Sequence, residues 1–259
     1  MRTCAAPPVE AAFDPVLDPV LDPAFAAQVG AASDGADRAN ARRLSDALGQ
    51  PHDLLRLRRL PSYDGEPDWV RAAFARAPFA VVRRALAAPG LIAVGVRGNG
   101  RAQRYGTWAK AGDIEAVIAP EDLVAASFQL DIERRALPAF VMLASVRDQA
   151  ESLHAFSWGP TGSAGFELAT GTPTVTATSD LDLLIRAAQR LSRERSAQLL
   201  IELESFAQRA GIRVDVQLET PSGGIALAEW AAGKARVMAR HAQGPQLVSD
   251  PWAVATEQV

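Results

Sequence analysis

The stretch WGPTGSAGFELATGTPTVTATSDLDLL, residues 158–184, limits what this chain can fold into more than any other part of it. Its first part is crowded with glycine, proline and small hydroxyl residues, namely Gly159, Pro160, Thr161, Gly162, Ser163 and Gly165. Glycine adopts backbone conformations that other residues avoid, and successive N–H groups in such a turn can bind an anion. We therefore predict a phosphate-binding turn in which Gly162 and Ser163 contact the ligand.

The second part of this stretch alternates acidic and apolar residues over Ser179-Asp180-Leu181-Asp182-Leu183. On a strand, alternate side chains share a face, so Asp180 and Asp182 project together. Two adjacent carboxylates repel each other unless a cation lies between them, and Mg²⁺ is commonly bound by one or two carboxylates plus substrate phosphates. We predict that both aspartates are catalytic residues that bind Mg²⁺, with Mn²⁺ as an alternative. Taken singly, each motif is more often an ordinary loop or a solvated strand end.

A third acidic residue occurs on a later segment with strict polar and apolar alternation, Ile212 to Glu219. Its polar face carries Arg213, Asp215, Gln217 and Glu219. If this strand pairs with the strand of Asp182, Asp215 becomes the third carboxylate of the metal cluster. The alternative is a half-exposed antiparallel strand with a polar outer face.

Composition excludes several classes of protein. The single cysteine, Cys4, allows neither a disulfide framework nor a Cys/His zinc cluster, and it favours a reducing cytoplasm. No apolar run approaches the roughly 20 residues needed to span a bilayer. We therefore expect a cytoplasmic protein with no membrane partner, whose 48% hydrophobic residues suffice for real cores.

Positive charge is concentrated in residues 52–110, which contain eleven Lys or Arg and four acidic residues, although the whole chain carries −3. Arg97, Arg101 and Arg104 surround a Gly-Asn-Gly hairpin turn. Guanidinium groups suit phosphate, so we predict that these arginines bind the phosphorylated substrate, with a solvated hairpin tip as the alternative. Few aromatic residues flank them, and this argues against a nucleic-acid partner.

The chain divides into three predicted regions. Residues 1–48 are rich in Ala, Pro and Asp and are expected to form a disordered tail. Residues 49–135 are predicted to form a basic α+β domain, and residues 136–259 a catalytic domain. The expected elements are strands at 91–97, from 104, at 114–118, at 153–158 and at 212–219, and helices from Asp68, from Pro120, over 137–147 and from Ser192 to Gly211.

Several segments together resemble the malonate decarboxylase holo-acyl-carrier-protein synthase family, the phosphoribosyl-dephospho-CoA transferases, within the polymerase-β-type nucleotidyltransferase superfamily. They are Pro51–Leu57, Val94–Gly98, Arg101–Arg104, Trp158–Gly171, Ser179–Leu183, Arg213–Pro221, Gly244–Pro245 and Asp250–Trp252. The resemblance implies an α+β fold, in which a smaller α+β domain precedes a polymerase-β-like domain with a mixed sheet and flanking helices.

The resemblance also implies a reaction. Phosphoribosyl-dephospho-CoA would pass from its triphosphate precursor, triphosphoribosyl-dephospho-CoA, to a serine of the acyl carrier subunit of malonate decarboxylase, releasing diphosphate. The family's acidic pair corresponds to Asp180 and Asp182, and Asp215 would be a shared ligand or the base. A nucleotidyltransferase that adenylylates another protein or a small molecule is the alternative. For His52 the sequence allows two alternatives, a catalytic role and a structural role.

Overall fold

The computed structural model describes residues 49–100, 102–126 and 130–253. Within these ranges the strands form two sheets, one of five strands from the first half of the chain and one of six strands from the second half. The predicted tail, residues 1–48, and the predicted ligand Arg101 lie outside the described residues.

The first sheet is antiparallel, in the order β4-β3-β2-β1-β5. Its strands are β1 (Leu54–Leu57), β2 (Phe79–Val82), β3 (Leu91–Arg97), β4 (Arg104–Lys110) and β5 (Ile114–Ile118). Helix α1 (Asp68–Arg76) packs on it and buries Val70 and Ala73. Short 3-10 helices at Ala111–Asp113 and Pro120–Leu123 precede and follow β5. The strands predicted at 91–97, from 104 and at 114–118 are confirmed, as is the helix from Asp68.

The second sheet is mixed, in the order β11-β10-β9-β8-β7-β6. Its strands are β6 (Ser157–Pro160), β7 (Leu181–Arg186), β8 (Val214–Thr220), β9 (Gly223–Ala226), β10 (Val237–His241) and β11 (Gly244–Val248). Its helices are α2 (Ile132–Arg135), α3 (Pro138–Gln149), α4 (Gly162–Thr170), α5 (Arg193–Ala210) and α6 (Leu227–Ala231). Strands β7 and β8 are parallel and the other pairs antiparallel. A parallel pair needs a long crossover, which α5 supplies here.

Alternation along β7 separates the core from the polar face of the sheet. Leu181, Leu183 and Ile185 are buried in the core of the second half, together with residues of α5 such as Leu199 and Leu203. Burying each side chain of this size stabilises the fold by roughly 1.5–3 kcal/mol. Because side chains alternate, Asp182, Leu184 and Arg186 lie on the opposite face of the strand.

Helix α5 has the ends predicted from the sequence. The Ser192 Oγ accepts a hydrogen bond from the Arg195 backbone N–H at 3.1 Å, which caps the first turn. Gly211, at φ 70°, ends the helix in the left-handed conformation that glycine favours.

Two sequence predictions near the site are wrong in detail. The strand predicted over 153–158 begins only at Ser157, because Glu151–Leu153 forms a 3-10 helix. The predicted glycine-serine turn is the first turn of α4. Burial of the residues that follow Gly162 favours the helix, since Ala164, Gly165 and Phe166 are all buried.

The two halves of the chain are in direct contact. Gly159 on β6 lies so close to the Pro120 carbonyl that a Cβ atom would overlap it. Leu130 packs against the core of the second half. Arg134 on α2 donates two hydrogen bonds to the Glu167 carboxylate on α4, from Nε to Oε1 and from Nη2 to Oε2, each at 2.7 Å. Residues just before the predicted division at 135 therefore contact the second half. None of the helices in the described ranges has the length and apolar character needed to cross a bilayer.

Candidate active site

Asp182 and Asp215 are brought together by the parallel pairing of β7 and β8. The register places Leu181 opposite Val214 and Asp182 opposite Asp215. Paired residues of a parallel ladder project to the same face, so the two carboxylates are neighbours. Both residues line a cleft of about 790 Å³. The predicted pairing of these strands is thus found in the structure, and it is parallel.

Gly162 lets the Asp182 carboxylate lie against the start of α4. It adopts φ 58°, and a Cβ atom at this position would overlap the Asp182 Oδ2. The Thr161 backbone N–H donates to the Asp182 backbone carbonyl at 2.9 Å, which ties the turn to β7. A helix N-terminus carries partial positive charge, and this stabilises the neighbouring carboxylate.

Arginines of the first sheet form the opposite wall of the cleft. Arg97 and Arg104 are paired across β3 and β4, and both line the cleft with Arg83. The Arg97 Nη2 donates to the Ser163 Oγ at 2.7 Å, which links this wall to α4. The structure therefore places Arg97, Arg104 and Gly162 at one cleft, with the positive wall facing the acidic pair, and Ser163 adjoins the cleft through its bond to Arg97. Their contact with a ligand stays a prediction.

Asp180 is arranged differently from the other two aspartates. It precedes β7, and its Oδ2 accepts from the Arg213 Nη2 at 2.5 Å. The bond and the charge of Asp180 raise the pKa of Arg213, with smaller contributions from Asp215 and Asp182. We predicted that three aspartates meet at one cation. Across the described ranges, however, no three His, Cys, Asp or Glu side chains are grouped so as to hold a metal ion.

The donor set of Asp182 and Asp215 nevertheless fits a divalent cation. Two carboxylates paired on neighbouring strands, open to a cleft, match the one or two carboxylates that Mg²⁺ takes from a protein, the remaining ligands being water and substrate phosphate. Metal binding by Asp180, Asp182 and Asp215 stays a prediction.

His52 enters the cleft from the turn before β1. Its Nε2 lies 2.7 Å from the Gln217 Nε2, and the Arg240 Nη1 donates to the Gln217 Oε1 at 2.9 Å. Burial, followed by the charges of Arg84, Arg186 and Arg240, lowers the pKa of His52 to about 3. The imidazole is therefore neutral at physiological pH.

Ion pairs join the two halves of the chain beside His52. The Arg186 Nη2 donates to the Asp53 Oδ1 at 2.6 Å, and its Nε donates to the Glu121 Oε1 at 3.0 Å. Arg84 is paired with Glu219. Burial raises the pKa of Asp53, although hydrogen bonds from Gln50 and Arg186 oppose the rise. These contacts position the arginine wall relative to β7 and β8.

Most of the residues that join the two sheets beside the cleft were not predicted from the sequence. The alternation of β8 placed Gln217 and Glu219 on the face of Asp215, and this was a usable signal for both. No local sequence pattern indicated the roles of Arg84, Arg186 and Arg240, because these roles depend on the packing of one sheet on the other.

Comparison with known proteins gives one family model for each half of the chain. The family model for the phosphoribosyl-dephospho-CoA transferase MdcG N-terminal domain matches residues 50–120, and that for its C-terminal domain matches residues 127–251. A phosphoribosyl-dephospho-CoA transferase of Pseudomonas putida is 43% identical over 208 residues, covering 79% of this chain and 96% of the relative. Proteins with the same description from Pseudomonas aeruginosa and Azotobacter vinelandii are each 41% identical, covering 80% and 79% of this chain and 95% of each relative.

No solved structure matches this chain. The fold, the cleft and the relatives together define an α+β transferase enzyme. The chain belongs to the phosphoribosyl-dephospho-CoA transferase family, which confirms the family resemblance seen in the sequence.

Proposed function

We propose that this protein transfers 2′-(5″-phosphoribosyl)-3′-dephospho-CoA from its 5″-triphosphate precursor to a serine of the apo acyl carrier subunit of malonate decarboxylase. The serine oxygen forms a bond to the α-phosphorus, and the bond from that phosphorus to the bridging oxygen of the diphosphate breaks. Diphosphate leaves, and the serine proton passes to a base. The names of the relatives support the transferred group.

One observation carries the chemistry: the paired carboxylates of Asp182 and Asp215 face an arginine wall across one cleft. The cleft volume of about 790 Å³ suits a nucleotide-sized ligand. A triphosphate needs positive charge along its length, and Arg97 and Arg104 supply it on the side opposite the acids. Arg97 is already oriented by its bond to Ser163.

Asp182 and Asp215 would hold Mg²⁺, with Mn²⁺ as the alternative. When bound, the cation would offset the negative charge that develops on the phosphoryl and leaving oxygens. Asp180 can join the pair only when Arg213 releases it. The carboxylate of Asp215 is exposed, so it can also accept the serine proton.

We also propose that the second half has a polymerase-β-like arrangement. Support comes from the order of its parts: β6, a glycine-led helix α4, and then β7, whose acidic residue pairs with an acid on the next strand β8. The metal-binding face then lies at the start of two parallel strands, directly against the N-terminus of α4.

Intact-mass analysis of the carrier subunit tests the proposal. The carrier is incubated with this protein, Mg²⁺ and the triphosphate precursor, and a carrier whose acceptor serine is replaced by alanine serves as the control. We expect a mass increase equal to one phosphoribosyl-dephospho-CoA unit on the unaltered carrier alone. An unchanged carrier mass, together with nucleotide incorporation from labelled ATP in the absence of the carrier, would favour the adenylylating alternative.

A further inference from the structure

Three side chains form a hydrogen-bonded series at the wall of the cleft. Arg240 on β10 donates to the Oε1 of Gln217 on β8 at 2.9 Å, and the Nε2 of Gln217 lies 2.7 Å from the Nε2 of His52. The series begins on the second sheet and ends on the turn before β1, so it spans the two halves of the chain.

The chemistry of these groups determines where the ring proton of His52 lies. A guanidinium has only donors, so the Gln217 amide must turn its oxygen toward Arg240. Its NH₂ group, which has only donors, then faces His52. The Nε2 of His52 must therefore accept, and the neutral ring carries its proton on Nδ1.

We infer that Arg240 and Gln217 hold His52 as the neutral Nδ1–H tautomer and that this N–H group binds a phosphate oxygen of the substrate in the cleft. The substrate part of the inference rests on the proposed function. His52 then binds substrate, and Gln217 and Arg240 are positioning residues.

The backbone at His52 gives independent support. Among the described residues, His52 is the one non-glycine residue with positive φ, at 75°. Such conformations are costly and cluster at functional sites. The turn is held by the His52 N–H, which donates to the Val82 carbonyl at 3.0 Å, and by the Gln50 N–H, which donates to the Asp53 Oδ2 at 2.7 Å. This conformation directs the ring into the cleft.

The same geometry argues against His52 as the general base. The lone pair on Nε2 is occupied by Gln217, and Nδ1 carries the proton. A base must also titrate near the working pH, whereas the pKa of His52 is lowered to about 3 by burial and by the charges of Arg84, Arg186 and Arg240. His52 can therefore contribute to phosphate binding as a neutral hydrogen-bond donor beside the arginines.

The tautomer can be read by long-range ¹H–¹⁵N NMR of the full chain without substrate. The chain has three histidines, His52, His154 and His241, so His52→Asn assigns the signal by its loss. We expect an Nδ1–H ring in the unaltered protein and a proton on Nε2 in Gln217→Glu, because a carboxylate only accepts. Arg236→Met, which removes an exposed arginine just before β10, should leave the tautomer unchanged. An Nε2–H ring in the unaltered protein would overturn the inference.

Kinetics test the donor role. His52→Asn keeps an N–H donor near the position of Nδ1, and His52→Gly removes the ring; both residues tolerate positive φ. We expect His52→Gly to lose about tenfold or more in kcat/KM, the usual effect of losing a hydrogen bond to a charged group, and His52→Asn to lose less than His52→Gly because it keeps a donor. Equal losses in the two variants would contradict the donor role.

Failure of the transfer proposal would be recognised separately. In that case the unaltered protein does not modify the carrier, while inorganic diphosphate with Mg²⁺ still shifts the His52 Nδ1 signal. If diphosphate leaves that signal unchanged at a concentration that saturates the protein, the donor role is wrong, whatever the reaction.

Discussion

Asp182 on β7 and Asp215 on β8 occupy paired positions of a parallel ladder, and their carboxylates lie on one face of the second sheet. The first of them also lies against Gly162, the first residue of α4. The position of the two carboxylates in the proposed reaction therefore depends on the contact of β7, β8 and α4.

Replacing Gly162 with alanine should disable the site through Asp182. The new Cβ atom would overlap the Asp182 Oδ2 and displace the carboxylate. Displacements of about 1 Å in a catalytic group can lower the rate about 100-fold. Transfer to the carrier, measured by intact mass over time, should fall by this order.

Gly171→Ala is the matched control for that variant. Gly171 has φ 68°, close to the 58° of Gly162, but nothing lies within 4 Å of its Cβ position. Both variants should lose about 1–2 kcal/mol of stability from the left-handed backbone. Only Gly162→Ala should lose transfer, and equal activity in the two variants would contradict the placement of Asp182.

Arg186→Ala should destabilise the contact between the two sheets. It removes the partner of Asp53, whose side chain is 6% exposed, and leaves that carboxylate buried without its ion pair. Breaking a buried pair costs about 3–5 kcal/mol, measured here by urea unfolding. Arg190→Ala removes an exposed partner of Asp250 and should cost less than about 1 kcal/mol. Similar losses in both variants would contradict a buried link.

Glu167 should make the stability of the protein fall in acid. It is buried and accepts from Arg134 and from the backbone N–H groups of Thr174 and Val175. Burial opposes these bonds, but together they lower the pKa of Glu167 below its ordinary 4.5. A carboxylate with a lowered folded-state pKa stabilises the fold above its unfolded pKa, and this contribution is lost as pH falls through the folded value.

Unfolding of Glu167→Gln at several pH values measures that contribution. At pH 7 the variant should be less stable than the unaltered protein by roughly 1.5–3 kcal/mol. Below its ordinary pKa of 4.5 the difference should shrink, because Glu167 of the unfolded chain takes up a proton before Glu167 of the folded protein, whose pKa is lower, does so. A difference that is constant from pH 7 to pH 3 would show that the charge of Glu167 is not what stabilises the fold.

Arg213→Ala should strengthen the proposed metal site. Arg213 is exposed on 71% of its side chain and bonded to Asp180, so its removal takes away one partner of that carboxylate and a positive charge that acts on Asp215 and Asp182. We expect the Mg²⁺ concentration that gives half-maximal transfer to fall. An unchanged or higher requirement would mean that Asp180 takes no part in metal binding.

Local patterns were enough to predict much of the fold. The shared face of Asp182 and Asp215 followed only on the condition that their strands pair. Alternation predicted β7 and β8, and the cap at Ser192 with the stop at Gly211 predicted α5. These features depend on neighbours in sequence. The glycine-led helix α4 was predicted as a turn, because glycine and proline disfavour helices locally while burial of Phe166 and its neighbours favours one.

The side chains that line the cleft and join the two sheets were only partly predictable. Arg97 and Arg104 belong to a local hairpin, whereas Arg186 contacts Asp53, 133 residues away, and Gln217 contacts His52, 165 residues away. Contacts of this range follow from how the two sheets pack, which no local pattern encodes. The bond between Asp180 and Arg213 was missed for a different reason, since equal spacing made Asp180 and Asp182 look equivalent.

We propose Asp182 and Asp215 as the catalytic pair for transfer to the carrier. The most direct measurement is the rate at which the carrier gains one phosphoribosyl-dephospho-CoA unit with Asp182→Asn, with Asp215→Asn and with the unaltered protein, after circular dichroism has shown equal folding. We expect losses of about a hundredfold to a thousandfold or more, because charge stabilisation at the phosphoryl group is removed. Transfer at the unaltered rate in either folded variant would contradict the account.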